Sequence, residues 1–106
     1  MTLRPVERPE AHDELLAEFT YYNEQRDGLG FEFLSAVEAA INDIAAWPDS
    51  WPPFPEWDRI PVMRTRRVQG FPYRVIYLVD GEVVVIFAYA HDRRRPGYWR
   101  ERIEPY

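Results

Sequence analysis

"YRVIYLVDGEVVVIFAYA", residues 73–90, decides the fold. Tyr73 to Val79 alternates Val75, Tyr77 and Val79 against Arg74, Ile76 and Leu78, the two-residue period of a strand. Asp80-Gly81 follows, a two-residue hairpin signal. Glu82 to Ala90 is then almost entirely apolar, as expected of the central strand. The pair predicts an antiparallel hairpin whose second arm is the central strand of a sheet.

Working back from the hairpin, Val62 to Val68 is an arginine-rich strand with a turn at Gly70. Residues 47–58, "WPDSWPPFPEWD", hold four prolines and three tryptophans and form a stiff connector. The indoles fit a cover over the open end of the core better than a partner-binding loop, because tryptophan carries so much buried area. Before the connector, Leu29 to Ala46 repeats apolar residues at helical spacing: Phe33, Val37, Ala40, Ile41 and Ile44. A helix from Glu10 to about Arg26, with Pro9 in its first turn, carries Ala11, Leu15, Phe19 and Tyr22 as one stripe. Glu14, Glu18 and Glu24 lie off that stripe, and "DGLG", residues 27–30, breaks the helix from the next. Leu3 to Arg8 reads as a short strand, with Pro5 marking an edge position. The expected architecture is α+β in the order β-α-α-β-β-β, a helical hairpin on one face of a small, mainly antiparallel sheet.

A chain of 106 residues supports a single domain over 1–106. Apolar residues at 46% and aromatics at 16% are enough for a packed interior, which argues against disorder. With no cysteine there is no disulfide, thiolate nucleophile or thiolate metal site. The longest apolar run, Val83 to Ala90, is far short of a membrane span, and no apolar leader precedes it. A soluble cytoplasmic protein with no membrane partner is the expectation.

The net charge of -5 conceals a division. Residues 1–58 carry three arginines against thirteen acids, a balance of -10, while residues 59–106 carry ten against five, a balance of +5. All thirteen basic residues are arginine. Arginine keeps its proton at any working pH, so histidine alone among the basic side chains can act as a general base.

Arg64 and Arg66 fall on one face of their strand, with Arg67 on the other. Arg74, just past the turn, is expected beside Arg64 and Arg66, and Arg93, Arg94 and Arg95 leave the central strand nearby. Such a gathering makes a cationic sheet surface suited to carboxylates or phosphates; the plainer reading is a solvated face. Tyr98 and Trp99 are expected to fold back against the sheet edge. His91 serves either as a structural hydrogen-bonding residue or as a titrating one, and His12 lies on the surface. Two histidines without a clustered motif predict no metal site and no cofactor.

With that layout, the chain resembles toxins of the ParE/RelE superfamily from bacterial type II toxin–antitoxin modules. The matching pieces are "AHDELLAEFTYYNEQRDGLGFEFLSAVEAAINDIAAWP", "FPYRVIYLVDGEVVVIFAYAH" and "RRRPGYW", spanning roughly residues 10–102 in the family's order. The resemblance implies a cognate antitoxin that wraps the toxin in a hetero-oligomer, and two possible activities. ParE-like members bind DNA gyrase without catalysis; RelE-like members cut messenger RNA on the ribosome. The long helical hairpin and "YY" at 21–22 resemble the ParE side. A RelE-like activity would use Arg64, Arg66, Arg74, Arg94 and Tyr98, with His91 as an alternative base. A third reading is a non-toxic member that only binds its antitoxin. Partner binding is expected of Arg64, Arg66, Arg74, Arg93, Arg94, Arg95 and Trp99.

Overall fold

The computed structural model describes residues 2–55 and 57–103. Strand β1 (Arg4–Glu7) leads into helices α1 (Pro9–Gln25) and α2 (Leu29–Ala46). Strands β2 (Arg64–Arg67), β3 (Tyr73–Asp80) and β4 (Val83–His91) follow, then a 3-10 turn at Arg100–Arg102. The sheet order is β1-β4-β3-β2, with β1 parallel to β4 and the other pairs antiparallel. β4 is therefore interior, as its apolar run requires, and Pro5 sits on the outer strand, where its missing N–H removes no central ladder bond.

Pro9 opens α1 with the backbone angle a first helical turn needs and without an N–H that would go unbonded. The two helices meet at Gly30. A side chain there would place its first carbon 2.6 Å from the Phe19 carbonyl oxygen and 2.8 Å from the Asn23 side chain. Glycine lets the backbones close, and the Gly30 N–H donates to Asn23 Oδ1 at 2.8 Å.

Between α-hairpin and sheet lies the first core: Ala11 from α1, Phe33, Val37, Ala40 and Ile44 from α2, and Tyr73, Val75 and Tyr77 from β3. The opposite sheet face is covered too, which the sequence reading did not anticipate. Ile76, Leu78, Val85, Phe87 and Ala88 pack there with Met63 and the tail residues Trp99 and Ile103, and Phe54 and Trp57 close over them. The connector thus covers a second sheet face rather than the open end of one core. Trp51 packs against the helix-side core, whereas Trp47 stays 66% exposed.

Two details of the hairpin differ from expectation. Asp80 pairs with Val83, so the turn centres on Gly81-Glu82, one residue later than "DG" implies. Gly81 has φ of 61°, matching the hairpin turn with glycine at its first central position. The second detail is a bulge. Ile76 pairs with Ala88 but Tyr77 with Ile86, leaving Phe87 as an extra residue in β4. Strict alternation from Val84 and Ile86 would put Ala88 and Ala90 towards the helices. The bulge instead turns Tyr89 to that face, and His91, which pairs with Tyr73, follows it. β2 is also shorter than Val62 to Val68, because Met63 and Thr65 bond back to the connector at Phe54 and Pro52.

Candidate functional site

The expectation is one wall of arginines from β2 and β3. Arg64 pairs with Tyr77 and Arg66 with Val75, both helix-side core residues, so these two arginines face the helices. Arg66 Nη2 reaches Asp43 Oδ2 of α2 at 3.0 Å, and its guanidinium lies 4.0 Å from the Trp51 ring centre. Arg64 donates to the Trp51 carbonyl at 2.8 Å. Arg67 pairs with Arg74 on the opposite face, and both share Asp92, at 3.3 and 3.9 Å. The expected gathering of Arg64, Arg66 and Arg74 does not form. Register places Arg74 opposite Arg67, across the sheet from the other two; Asp43 pairs with Arg66, and the single carboxylate of Asp92 lies between Arg67 and Arg74.

What the structure brings together instead is a cleft of about 600 Å³ where α1 meets the ends of β3 and β4 and the tail. Glu14 and Glu18, one helical turn apart, supply one wall; Tyr73, Tyr89 and Tyr98 line it with phenol rings. The bulge is what delivers Tyr89 and His91 to this place. Glu14 is a hub. Its Oε1 accepts from the Tyr89 N–H at 3.1 Å and Arg102 Nη1 at 2.9 Å; its Oε2 accepts from the Tyr98 hydroxyl at 2.5 Å and Arg102 Nη2 at 3.1 Å. Arg102 Nη1 also donates to the Phe87 carbonyl at 3.0 Å. β1 ends its pairing at Ile86, so Glu14 and Arg102 satisfy backbone groups that β4 exposes beyond it. Glu18 accepts from the Tyr73 hydroxyl, and Glu7 from that of Tyr89.

These bonds fix the protonation of the phenols. Burial, then hydrogen bonding to Glu14 and its charge, pushes the Tyr98 pKa well above its ordinary 10.0. Tyr73 is raised by burial and by Glu18, and Tyr89 by burial and by Glu7. Tyr77 is raised by burial, and its hydroxyl donates to the Pro48 carbonyl at 2.7 Å. His91 stacks edge-on to Tyr73 with ring centres 4.9 Å apart. Its Nδ1 accepts the Arg93 N–H at 3.0 Å, which assigns the ring proton to Nε2. Tyr98 is a protonated phenol that donates to Glu14, and the His91 Nδ1 lone pair is occupied by the Arg93 N–H.

The raised phenols predict an alkaline limit to stability. A folded-state pKa above the unfolded value of 10.0 means the native state holds its proton longer. The stabilisation is complete below about pH 10 and drains away as pH rises further. In a pH titration the phenolate absorbance of Tyr73, Tyr77, Tyr89 and Tyr98 should therefore appear above about pH 10, together with loss of far-ultraviolet ellipticity. A single transition near pH 10 with the fold intact would contradict these contacts.

Arg93 and Arg94 are exposed at the mouth of the cleft, and Arg95 is exposed beside a pocket of about 250 Å³ on the other sheet face, which Arg74, Arg94 and Trp99 also line. Arg94 lies 3.9 Å over the Tyr98 ring. Trp99, only 1% exposed, is a member of the second core and meets Phe54 edge-on at 5.0 Å. His12 is exposed and bonds Glu7 at 2.6 Å. Among the described residues no His, Asp and Glu group is arranged to hold a metal, and no helix is long and apolar enough to cross a membrane. Sequence reading missed Glu14, Glu18, Tyr73, Tyr89 and Arg102. The available signal was the four-residue step from Glu14 to Glu18 along the border of the apolar stripe.

Comparison with known proteins agrees with this layout. A solved chain described as "Chromosomal ParDE TA system from P. aeruginosa" superposes with a TM-score of 0.70 at 13% identity, covering 85% of this chain and 96% of that one. At that identity the likeness speaks for the fold alone. No curated protein matches the chain significantly. The family described as "ParE toxin of type II toxin-antitoxin system, parDE" matches residues 8–106, almost the whole sequence. The chain belongs to the ParE toxin family of type II toxin–antitoxin systems.

Proposed function

We propose that this toxin arrests growth by binding DNA gyrase, without chemistry of its own, and that a cognate antitoxin holds it inactive in a hetero-oligomer. The observation that carries the reading is the state of Tyr98: its hydroxyl is donated to Glu14, and burial keeps it protonated. Cleavage of a ribose-phosphate chain needs a group that can take the 2′-hydroxyl proton near neutral pH. His91 has spent its free ring nitrogen on the Arg93 N–H. Arg64 and Arg66 stand on the other sheet face from Arg74, so they cannot converge on one phosphate. The ParE family membership favours gyrase as target, and the related ParDE system favours an antitoxin partner. Gyrase as target implies action in the cytoplasm.

Purified gyrase assayed for supercoiling with this protein in stoichiometric excess should be blocked, and messenger RNA on programmed ribosomes should remain intact. Adding the protein encoded beside the toxin should restore supercoiling. Unaffected supercoiling would remove the gyrase reading. A cut message would establish the RelE-like alternative in its place.

A further inference from the structure

Among the described residues, Arg26, Arg66, Arg67, Arg74 and Arg102 each have a carboxylate partner. Arg93, Arg94 and Arg95 make no ion pair among the described residues, although Asp92 is their neighbour in sequence; it is engaged by Arg67 and Arg74. Three adjacent uncompensated cations in a chain of net charge -5 therefore stand out. Their backbone is fixed. Asp92 N–H donates to the Pro72 carbonyl at 2.9 Å, Arg93 N–H to His91 Nδ1 and Arg94 N–H to the His91 carbonyl, each at 3.0 Å. Arg94 is further oriented by the Tyr98 ring beneath it. Arg93 and Arg94 both open into the tyrosine cleft.

The opposite wall distinguishes among anions. Glu14 is neutralised by Arg102 and its four acceptor positions are filled. Glu18 has no basic partner among the described residues and accepts only the Tyr73 hydroxyl, through Oε2. A phosphate entering the cleft would meet that uncompensated carboxylate. An acidic residue of a peptide would not suffer equally, because its chain brings N–H groups that Glu18 Oε1 can receive. Its carboxylate carries a single charge for the guanidinium pair, and its methylene stem can lie on the phenol rings.

We propose that this cleft seats an acidic side chain of a partner protein's docking segment, with Arg93 and Arg94 gripping the carboxylate and Glu18 receiving a backbone N–H. The proposal rests on the reading that the chain is neutralised by a protein partner. It moves the recognition site from the sheet arginines to the α1–β4–tail cleft.

Two probes test it on the full chain: the capped peptide acetyl-Ala-Glu-Glu-Leu-amide and its counterpart acetyl-Ala-Lys-Lys-Leu-amide. In a 15N-labelled sample the glutamate peptide should shift amides at Tyr21, Tyr22 and His91 to Arg94, saturably, and less at high salt. Arg93→Ala/Arg94→Ala should weaken that binding roughly tenfold or more, as loss of charge-assisted hydrogen bonds implies. Both side chains are exposed, so the melting temperature should hold. Arg64→Ala/Arg66→Ala should leave binding unchanged. Absence of saturable shifts, shifts centred on Arg64 and Arg66, or preference for the lysine peptide would each overturn the site. A tight complex with the neighbouring-frame protein that ignores Arg93→Ala/Arg94→Ala would also overturn it while keeping the partner. Peptide binding in the cleft without any such complex would keep the site and remove the antitoxin reading.

Discussion

Glu14→Ala should lower the free energy of unfolding by roughly 3–5 kcal/mol and the thermal midpoint by about 12 °C or more. The size follows from what is left behind. Glu14 and Arg102 are 16% and 17% exposed, so truncating the carboxylate strands a largely buried guanidinium. It also leaves the Tyr98 hydroxyl and the Tyr89 N–H without acceptors, each loss carrying its own desolvation cost of about 1–3 kcal/mol. These effects overlap and do not add. Glu18→Ala is the internal comparison, since Glu18 serves one phenol and no cation; it should cost roughly 1–2 kcal/mol. Replacing both members of the pair, Glu14→Leu with Arg102→Met, should recover much of the loss because no unpaired charge remains. Urea unfolding of the three variants and the parent chain measures all of this. If Glu14→Ala cost no more than Glu18→Ala, the hub would not be holding the tail to α1.

The hub also explains which parts of the molecule were legible in sequence. The helices and the β3–β4 hairpin announce themselves because their apolar residues recur at 3.6 or at 2, and because glycine marks the turn. The bulge at Phe87 does not. Within "EVVVIFAYA" every register is equally apolar, so no pattern reveals that one residue is extra. Yet that residue decides which way Tyr89 and His91 face, and with them the cleft. The fate of Arg74 was hidden for a related reason. Alternation assigns faces within a strand, but the face shared between strands depends on the register across the Gly70 turn, which pairs Arg67 with Arg74. Charge clustering in sequence is thus not charge clustering in space. Arg66, Arg67 and Arg74 are each matched by a carboxylate, two of them by the same Asp92 contributed from beyond β4. Glu14 looked like a solvated helix residue because its partners lie 75 and 88 residues away.

The largest effect on the far side of the sheet should come from Trp99→Ala, a loss of roughly 3–5 kcal/mol. Trp99 fills the second core almost completely, at 1% exposure, touching Phe54 at 5.0 Å and Trp57 at 5.9 Å between ring centres. Those two belong to the proline-rich connector, so the indole joins connector, tail and sheet in one contact. Removing it creates a void that the prolines are too stiff to close, the circumstance in which cavity costs are greatest. Trp47→Ala supplies a control of the same chemistry: at 66% exposure it should change stability by no more than about 0.5 kcal/mol. Binding of an apolar dye should rise for Trp99→Ala and not for Trp47→Ala. Trp99 also forms one wall of a pocket of about 250 Å³ on this face, together with Arg74, Arg94, Arg95 and Tyr98. Equal stability losses from the two variants would mean that the indole does not hold this face together.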